Sequence, residues 1–143
     1  MSGYFLHMNA QVQFSRFIDA ANVSQSALMD WFDSLPAVPE SLMLGEWQGG
    51  CFNTGHSGEK MLGALKWLGK RFSSRVDVFP LICANEQGER VVNPVLGAAQ
   101  LREVAYRGVV TATMVYDTQP IFDHFRKIDE NTVLGVMDKK GEN

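Results

Sequence analysis

The sequence predicts a mainly β fold, with an N-terminal helical segment over the first 35 residues and an antiparallel barrel, interrupted by one short helix, built from the rest. Three observations predict it. Apolar residues recur at helical spacing as far as Pro36 and Pro39; from Val76 onward the segments turn β-branched and aromatic; and the last connections, Asp117-Thr118-Gln119-Pro120 and Asp129-Glu130-Asn131, are only four and three residues long. Connections that short force neighbouring strands to run antiparallel, so the C-terminal third is a meander.

Taken in order, residues 9 to 21 place Phe14, Phe17, Ile18 and Ala21 on one helical face. Ser24 then offers an N-cap to a run bearing Leu28, Trp31, Phe32 and Leu35, giving one long or two short amphipathic helices. Pro36 and Pro39 end this region because neither can extend a helical hydrogen-bond ladder. A strand is predicted over 43 to 53, carrying Gly45-Glu46-Trp47-Gln48-Gly49. Gly58 to Phe72 spaces Met61, Leu62, Leu65 and Leu68 as a short helix running into a turn, with Lys70 and Arg71 as cations at its C-terminus. Breaks at Asn85-Glu86-Gln87-Gly88 and Asn93-Pro94 mark a hairpin and a loop. Three strands follow, 101 to 116 (bent or broken at Gly108), 121 to 128 and 132 to 137, before a polar tail at 139 to 143. The whole is expected to be a single domain: a helical segment 1–35, a barrel 36–138 and the tail.

Composition narrows the function. A net charge of −3 with scattered Lys and Arg lacks the basic stripe of a nucleic-acid binder, so no nucleic-acid partner is expected. Cys51 and Cys83 belong to no metal-ligand spacing and read as reduced thiols; no metal or other cofactor is implied. Met1 to Ala10 lacks the pattern of a secretory signal and no window approaches a membrane span, which predicts a cytoplasmic protein without a transmembrane segment.

Gly45-Glu46-Trp47-Gln48-Gly49, with Phe52-Asn53-Thr54-Gly55-His56 and Trp67-Leu68-Gly69-Lys70-Arg71-Phe72, resembles the small bacterial family named for its GXWXG motif. Tyr106-Arg107-Gly108-Val109-Val110, Met114-Val115-Tyr116-Asp117, Pro120-Ile121, Asp123-His124-Phe125-Arg126 and Leu134-Gly135-Val136-Met137-Asp138 look like the C-terminal domain of unknown function that accompanies it. The resemblance covers roughly residues 35 to 138 and brings no established activity. Gly-X-Trp on a first strand is also similar to lipocalins and fatty-acid-binding proteins. That likeness implies a lipocalin-like (calycin-like) barrel plugged by Trp47, with Arg126 or Arg107 stacked on the indole. The N-terminal helices depart from the lipocalin order, and their aromatics, with Tyr4 and Phe5, suggest a helical lid on the barrel or a dimer contact.

In strand 121 to 128, Phe122, His124, Arg126 and Ile128 share one face and Ile121, Asp123, Phe125 and Lys127 the other. Neither face is cleanly polar, so the pattern leaves open which one turns inward. With the first face inward, His124 and Arg126, joined by Tyr106 or Tyr116, would hold a carboxylate or phosphate headgroup, its tail along Val, Met and Phe walls. The structural alternative pairs Arg126 with Asp117 or Asp138 and lets His124 cap a loop carbonyl. Asp123 and His124, adjacent on a strand, point to opposite faces and cannot act as a dyad. His56, in Gly55-His56-Ser57-Gly58, is either a pocket-mouth acid or base or a turn residue. Tyr106, Arg107 and Glu103 are candidates for a buried network at the pocket floor or for plain surface pairs, and Met61, Met114 and Met137 for an adaptable wall or core filling.

The candidate ligand-binding set is therefore Trp47, His56, Tyr106, Arg107, Tyr116, His124 and Arg126, with no catalytic or metal set. The expected function is non-catalytic binding of a lipid or other amphipathic small molecule, such as a fatty acid or phospholipid. Two alternatives stand beside it. One is a small enzyme with His124 or His56 as general base and Arg126 or Arg107 holding an anionic substrate. The other is a filled barrel that dimerises through N-terminal aromatics such as Tyr4, Phe5, Phe14 and Phe17.

Overall fold

The computed structural model describes residues 1–7 and 24–142. Among the described residues the elements run β1 (Ser2–His7), α1 (Gln25–Ser34), α2 (Glu40–Met43), β2 (Gly45–Cys51), α3 (Ser57–Ala64), β3 (Trp67–Phe72), β4 (Val78–Ala84), β5 (Arg90–Val92), β6 (Ala99–Tyr106), β7 (Val109–Tyr116), β8 (Ile121–Asp129) and β9 (Thr132–Lys139). All pairings are antiparallel, in the order β3-β2-β1-β9-β8-β7-β6-β4-β5. Because β3 also pairs with β4, eight strands return on themselves in a ring, and β5 adds to β4.

The predicted mainly β, antiparallel class holds, and two local readings need correction. The stretch assigned to a helical N-terminal segment contains β1, which sits between β2 and β9. It buries Phe5 on one face and Leu6 on the other, so it lacks the polar alternation that marks a half-exposed strand. Residues 58 to 72 are a helix and a strand: α3 stops at Ala64, Lys66 takes a left-handed conformation (φ 55°), and Lys70 and Arg71 lie on β3. Of the alternatives at Gly108 the break is observed: residues 101 to 116 form two strands, joined by Arg107 (φ 51°) and Gly108 (φ 81°), the paired positive angles of a tight hairpin turn. The predicted helix at 9 to 21, with Phe14 and Phe17, falls largely outside the described residues.

The ring's inner face packs Phe5, Trp47, Phe72, Leu101, Met114, Phe125 and Val133 into one cluster. Phe125 meets Phe5 and Phe72 edge-on, with centroids 5.8 and 6.0 Å apart. The motif glycines make this packing possible. A Cβ on Gly49 would lie 2.8 Å from the Phe5 and Trp67 rings, and one on Gly45 2.7 Å from His7 Nε2. Trp47 between them is fully buried and donates through Nε1 to the Met43 carbonyl at 2.7 Å.

Helix α1 covers the outer face of β1, β8 and β9. Ser24 Oγ caps it by accepting from the Ala27 N–H (3.1 Å), and Leu28 and Phe32 bury themselves against Leu6, Leu134 and Val136, each contributing about 1.5–3 kcal/mol. From its end a strap, 36–38, runs into the gap where β7 and β8 part. Pro36 accepts from the Lys127 N–H (2.9 Å), Val38 accepts from the Ala112 N–H (2.8 Å), and Ala37 bridges to Arg126.

Candidate functional site

Beside Phe5 of the packed aromatics, and roofed by α3, lies a cavity of about 280 Å³. Met1, Phe5, Met61, Leu62, Trp67, Leu81, Ile121 and Met137 supply its apolar walls. Gly3, Gly49 and Gly135 keep space at Phe5: a Cβ on Gly135 would meet the Phe5 ring at 2.9 Å.

Into this space β3 and β8 send one ion pair. Lys70 Nζ lies 3.3 Å from Asp123 Oδ2, with the two side chains 5% and 14% exposed. The ammonium also lies 5.3 Å from the Phe5 ring centroid and 5.6 Å from that of Trp67, so aromatic faces supplement the carboxylate. An ammonium has three donors and a carboxylate about four acceptor sites, which leaves hydrogen-bonding capacity on both partners at the cavity wall. Tyr116 lines the same space, and burial pushes its phenol well above the ordinary range, making it a standing O–H donor. The Cys51 thiol, also on the wall, is pushed up to about 11 by burial and stays protonated, which removes it as a thiolate nucleophile.

His56 and Glu142 mark the mouth. His56 Nδ1 accepts from the Gly58 N–H (2.9 Å) as the N-cap of α3, so Nε2 carries the proton and donates to Glu142 Oε2 at 3.2 Å. Both residues, with Met1 and Met137, also border a second hollow of about 710 Å³ that includes Tyr106, Arg107 and Asp138.

The seven sequence-predicted residues therefore divide. His56 and Tyr116 line the cavity; Tyr106 and Arg107 line the neighbouring hollow; Trp47, His124 and Arg126 line neither. The inward placement of His124 and Arg126 is corrected: Asp123 and Phe125 face in, and alternation turns their neighbours outward under α1. Arg126 is fully buried there, donating through Nη1 to the carbonyls of Phe32 (3.1 Å), Asp33 (3.4 Å) and Leu35 (2.8 Å) and stacking on the Phe32 ring at 4.5 Å. It serves the C-terminus of α1, and it is neither the partner of Trp47 nor of Asp117 or Asp138. Arg107 instead holds Asp33 through Nε (2.6 Å) and Nη2 (2.7 Å), so neither arginine stacks on the indole.

His124 stacks on Tyr106, centroids 3.8 Å apart and planes 7° from parallel, between Thr113 Oγ1 (2.9 Å from Nδ1) and Asp138 Oδ2 (3.0 Å from Nε2). Burial lowers its pKa more than the Asp138 hydrogen bond raises it. Glu103 accepts from the Glu40 N–H at the surface, Met114 is core, and Met61 and Met137 line the cavity.

Lys70 and Asp123 were not on the predicted list. Lys70 was hidden by reading Gly58 to Phe72 as helix and turn, where a cation needs no partner. Asp123 was visible on the alternative face with Ile121 and Phe125, and that face is the one turned inward. Among the described residues no group of three His, Cys, Asp or Glu side chains is placed to hold a metal ion, and no helix is long and apolar enough to cross a membrane.

The GXWXG protein family model matches residues 30–88, and the model described as a domain of unknown function (DUF4334) matches residues 97–143. A search of the curated proteins finds no match. The chain is similar to a protein from Thermomonospora curvata known from its crystal structure, at 42% identity over 90% of this chain and 88% of that one, with a TM-score of 0.84. With the motif on β2, both models in sequence along one ring, and that relative spanning nearly all of it, the chain belongs to the GXWXG family with its accompanying DUF4334 domain.

Proposed function

We propose that the protein binds a small amphipathic molecule inside a lipocalin-like barrel, without transforming it, and that α3 is the lid over the bound molecule. The observation that carries this reading is the 280 Å³ cavity, walled by Met, Leu, Ile and aromatic side chains and holding one buried Lys70–Asp123 pair. A few convergent polar groups among apolar walls are what orient a small ligand. The volume falls just under the ~300–1,000 Å³ usual for ligand sites, favouring a compact molecule over a diacyl phospholipid. Charge narrows the class further. Lys70 is already neutralised by Asp123, so an anionic headgroup seated at this pair, rather than against Lys139 elsewhere on the wall, would have to bury a second negative charge beside the carboxylate. An uncharged polar end, a hydroxyl or carbonyl, can take the remaining donors of Lys70 and Tyr116 at no such cost. We place this activity in the cytoplasm, in keeping with two free thiols.

Native mass spectrometry of freshly purified protein, followed by organic extraction, tests the reading. A discrete retained adduct of small, uncharged, lipid-like mass is the expected result. A bare protein mass, together with no uptake of an apolar fluorescent probe that Lys70→Met alters, would overturn it.

A further inference from the structure

We propose that Lys70 captures carbonyl ligands covalently: a small apolar aldehyde entering the cavity condenses with the amine of Lys70 to a protonated imine, with Asp123 as its counter-ion. The proposal rests on the cavity being a ligand site and adds a bond-forming step to it. Of six lysines in the chain, Lys70 is the buried one, while the other five are half-buried or exposed. Its Nζ stands at the cavity wall between the Phe5 and Trp67 rings, which would flank a conjugated or aromatic ligand lying against it. Among the described residues Asp123 at 3.3 Å is the one carboxylate that the buried ammonium pairs with, and Tyr116 supplies an O–H to the same cavity.

The step balances with no further reagent. The ammonium passes a proton to Asp123, and the freed nitrogen lone pair adds to the carbonyl carbon while the C=O π pair moves to oxygen. A proton moves from nitrogen to that oxygen, giving a neutral carbinolamine. Asp123 then protonates the hydroxyl, the C–O bond breaks, water leaves, and the nitrogen lone pair forms the C=N bond. One ammonium and one aldehyde become one iminium and one water, and the carboxylate returns to its ionised state beside an unchanged positive charge. The site is thus electrostatically the same before and after, which permits a charged imine inside an apolar cavity.

The full chain is incubated with cinnamaldehyde and sodium cyanoborohydride, which reduces the imine to a stable amine, and labelled lysines are mapped by peptide mass spectrometry. In parallel, native mass spectrometry follows cinnamyl alcohol, which has the same shape and cannot condense. Labelling at Lys70 is expected at least about tenfold faster than at any other lysine, because the cavity holds the aldehyde against the amine. Asp123→Asn should slow it, and Lys70→Arg should abolish that site while circular dichroism reports a folded chain. Label spread over Lys60, Lys66 and Lys140, the exposed lysines, with Lys70 unmodified, overturns the proposal even if cinnamyl alcohol binds; in that case the binding reading survives alone. No label at Lys70 and no retained alcohol removes both. Since the decisive labelling is read on the unaltered sequence, misfolding of a variant cannot mask either result.

Discussion

The two faces of β8 each bury a charged cluster, and they treat it in opposite ways. Inward, Asp123 meets a lysine ammonium beside open volume, a pair of side chains with hydrogen-bonding capacity to spare. Outward, Arg126 spends one amino group on three carbonyls of the last turn of α1 and its face on Phe32, its Nε and Nη2 left buried without a hydrogen-bond partner among the described residues, while His124 is held by Thr113, Asp138 and the Tyr106 ring. Backbone acceptors and tight stacking fix geometry, so the outer cluster is architecture. A side-chain pair at the wall of a void can exchange partners, so the inner one is where chemistry has room.

That contrast can be broken by experiment. The largest effect is expected from Arg126→Met, which strips the donors from the C-terminal carbonyls of α1 and should cost about 3 kcal/mol in urea unfolding, with ligand uptake per folded molecule unchanged. If uptake falls with stability, the outer face is not mere architecture. Lys70→Met should cost about 2 kcal/mol by leaving Asp123 unpaired, and Lys70→Met with Asp123→Leu should return to within about 1 kcal/mol of the parent while binding stays lost. A double variant as unstable as the single one would mean that the pair is structural after all.

A smaller effect is assigned to His124. Its folded pKa is lowered by burial from an ordinary 6.5, so the unfolded chain takes the proton more readily. Stability should therefore be level above about pH 6.5 and decline as pH falls through and below that value, and His124→Gln should remove this portion of the slope in unfolding curves recorded across the range. Smallest is Arg107→Ala, whose half-exposed pair with Asp33 should contribute under about 1 kcal/mol by the same assay.

Much of the ring was legible in the sequence because its C-terminal half obeys local rules: short polar connections, β-branched runs and a glycine turn mark β6 to β9 almost residue by residue. The strands that escaped, β1 and β3, are those whose identity comes from tertiary pairing. Ser2–His7 is apolar on both faces because it is flanked on both sides, and Trp67–Phe72 carries glycine and cations because Gly69 passes close to β2 and Lys70 points into a cavity. The site followed the same division. His56 and Tyr116 were identified from residue chemistry, whereas Lys70 and Asp123 meet across 53 positions of chain, and only the ring closure brings them together. The alternation of β8 supplied two equally mixed faces, and the side taken by α1, invisible in that strand's own residues, decides which is inner.

The strap at 36–38 carries a consequence for association between chains. Where β7 and β8 separate, each would present bare N–H and C=O groups, the template on which sheets add strands from other molecules. Three residues of the same chain occupy that gap, with Pro36 contributing a carbonyl and no N–H that could recruit a further strand. Resistance to aggregation is thereby tied to the seating of α1, the helix from which the strap descends, so conditions that loosen α1 would open sticky edges well before the ring itself unravels.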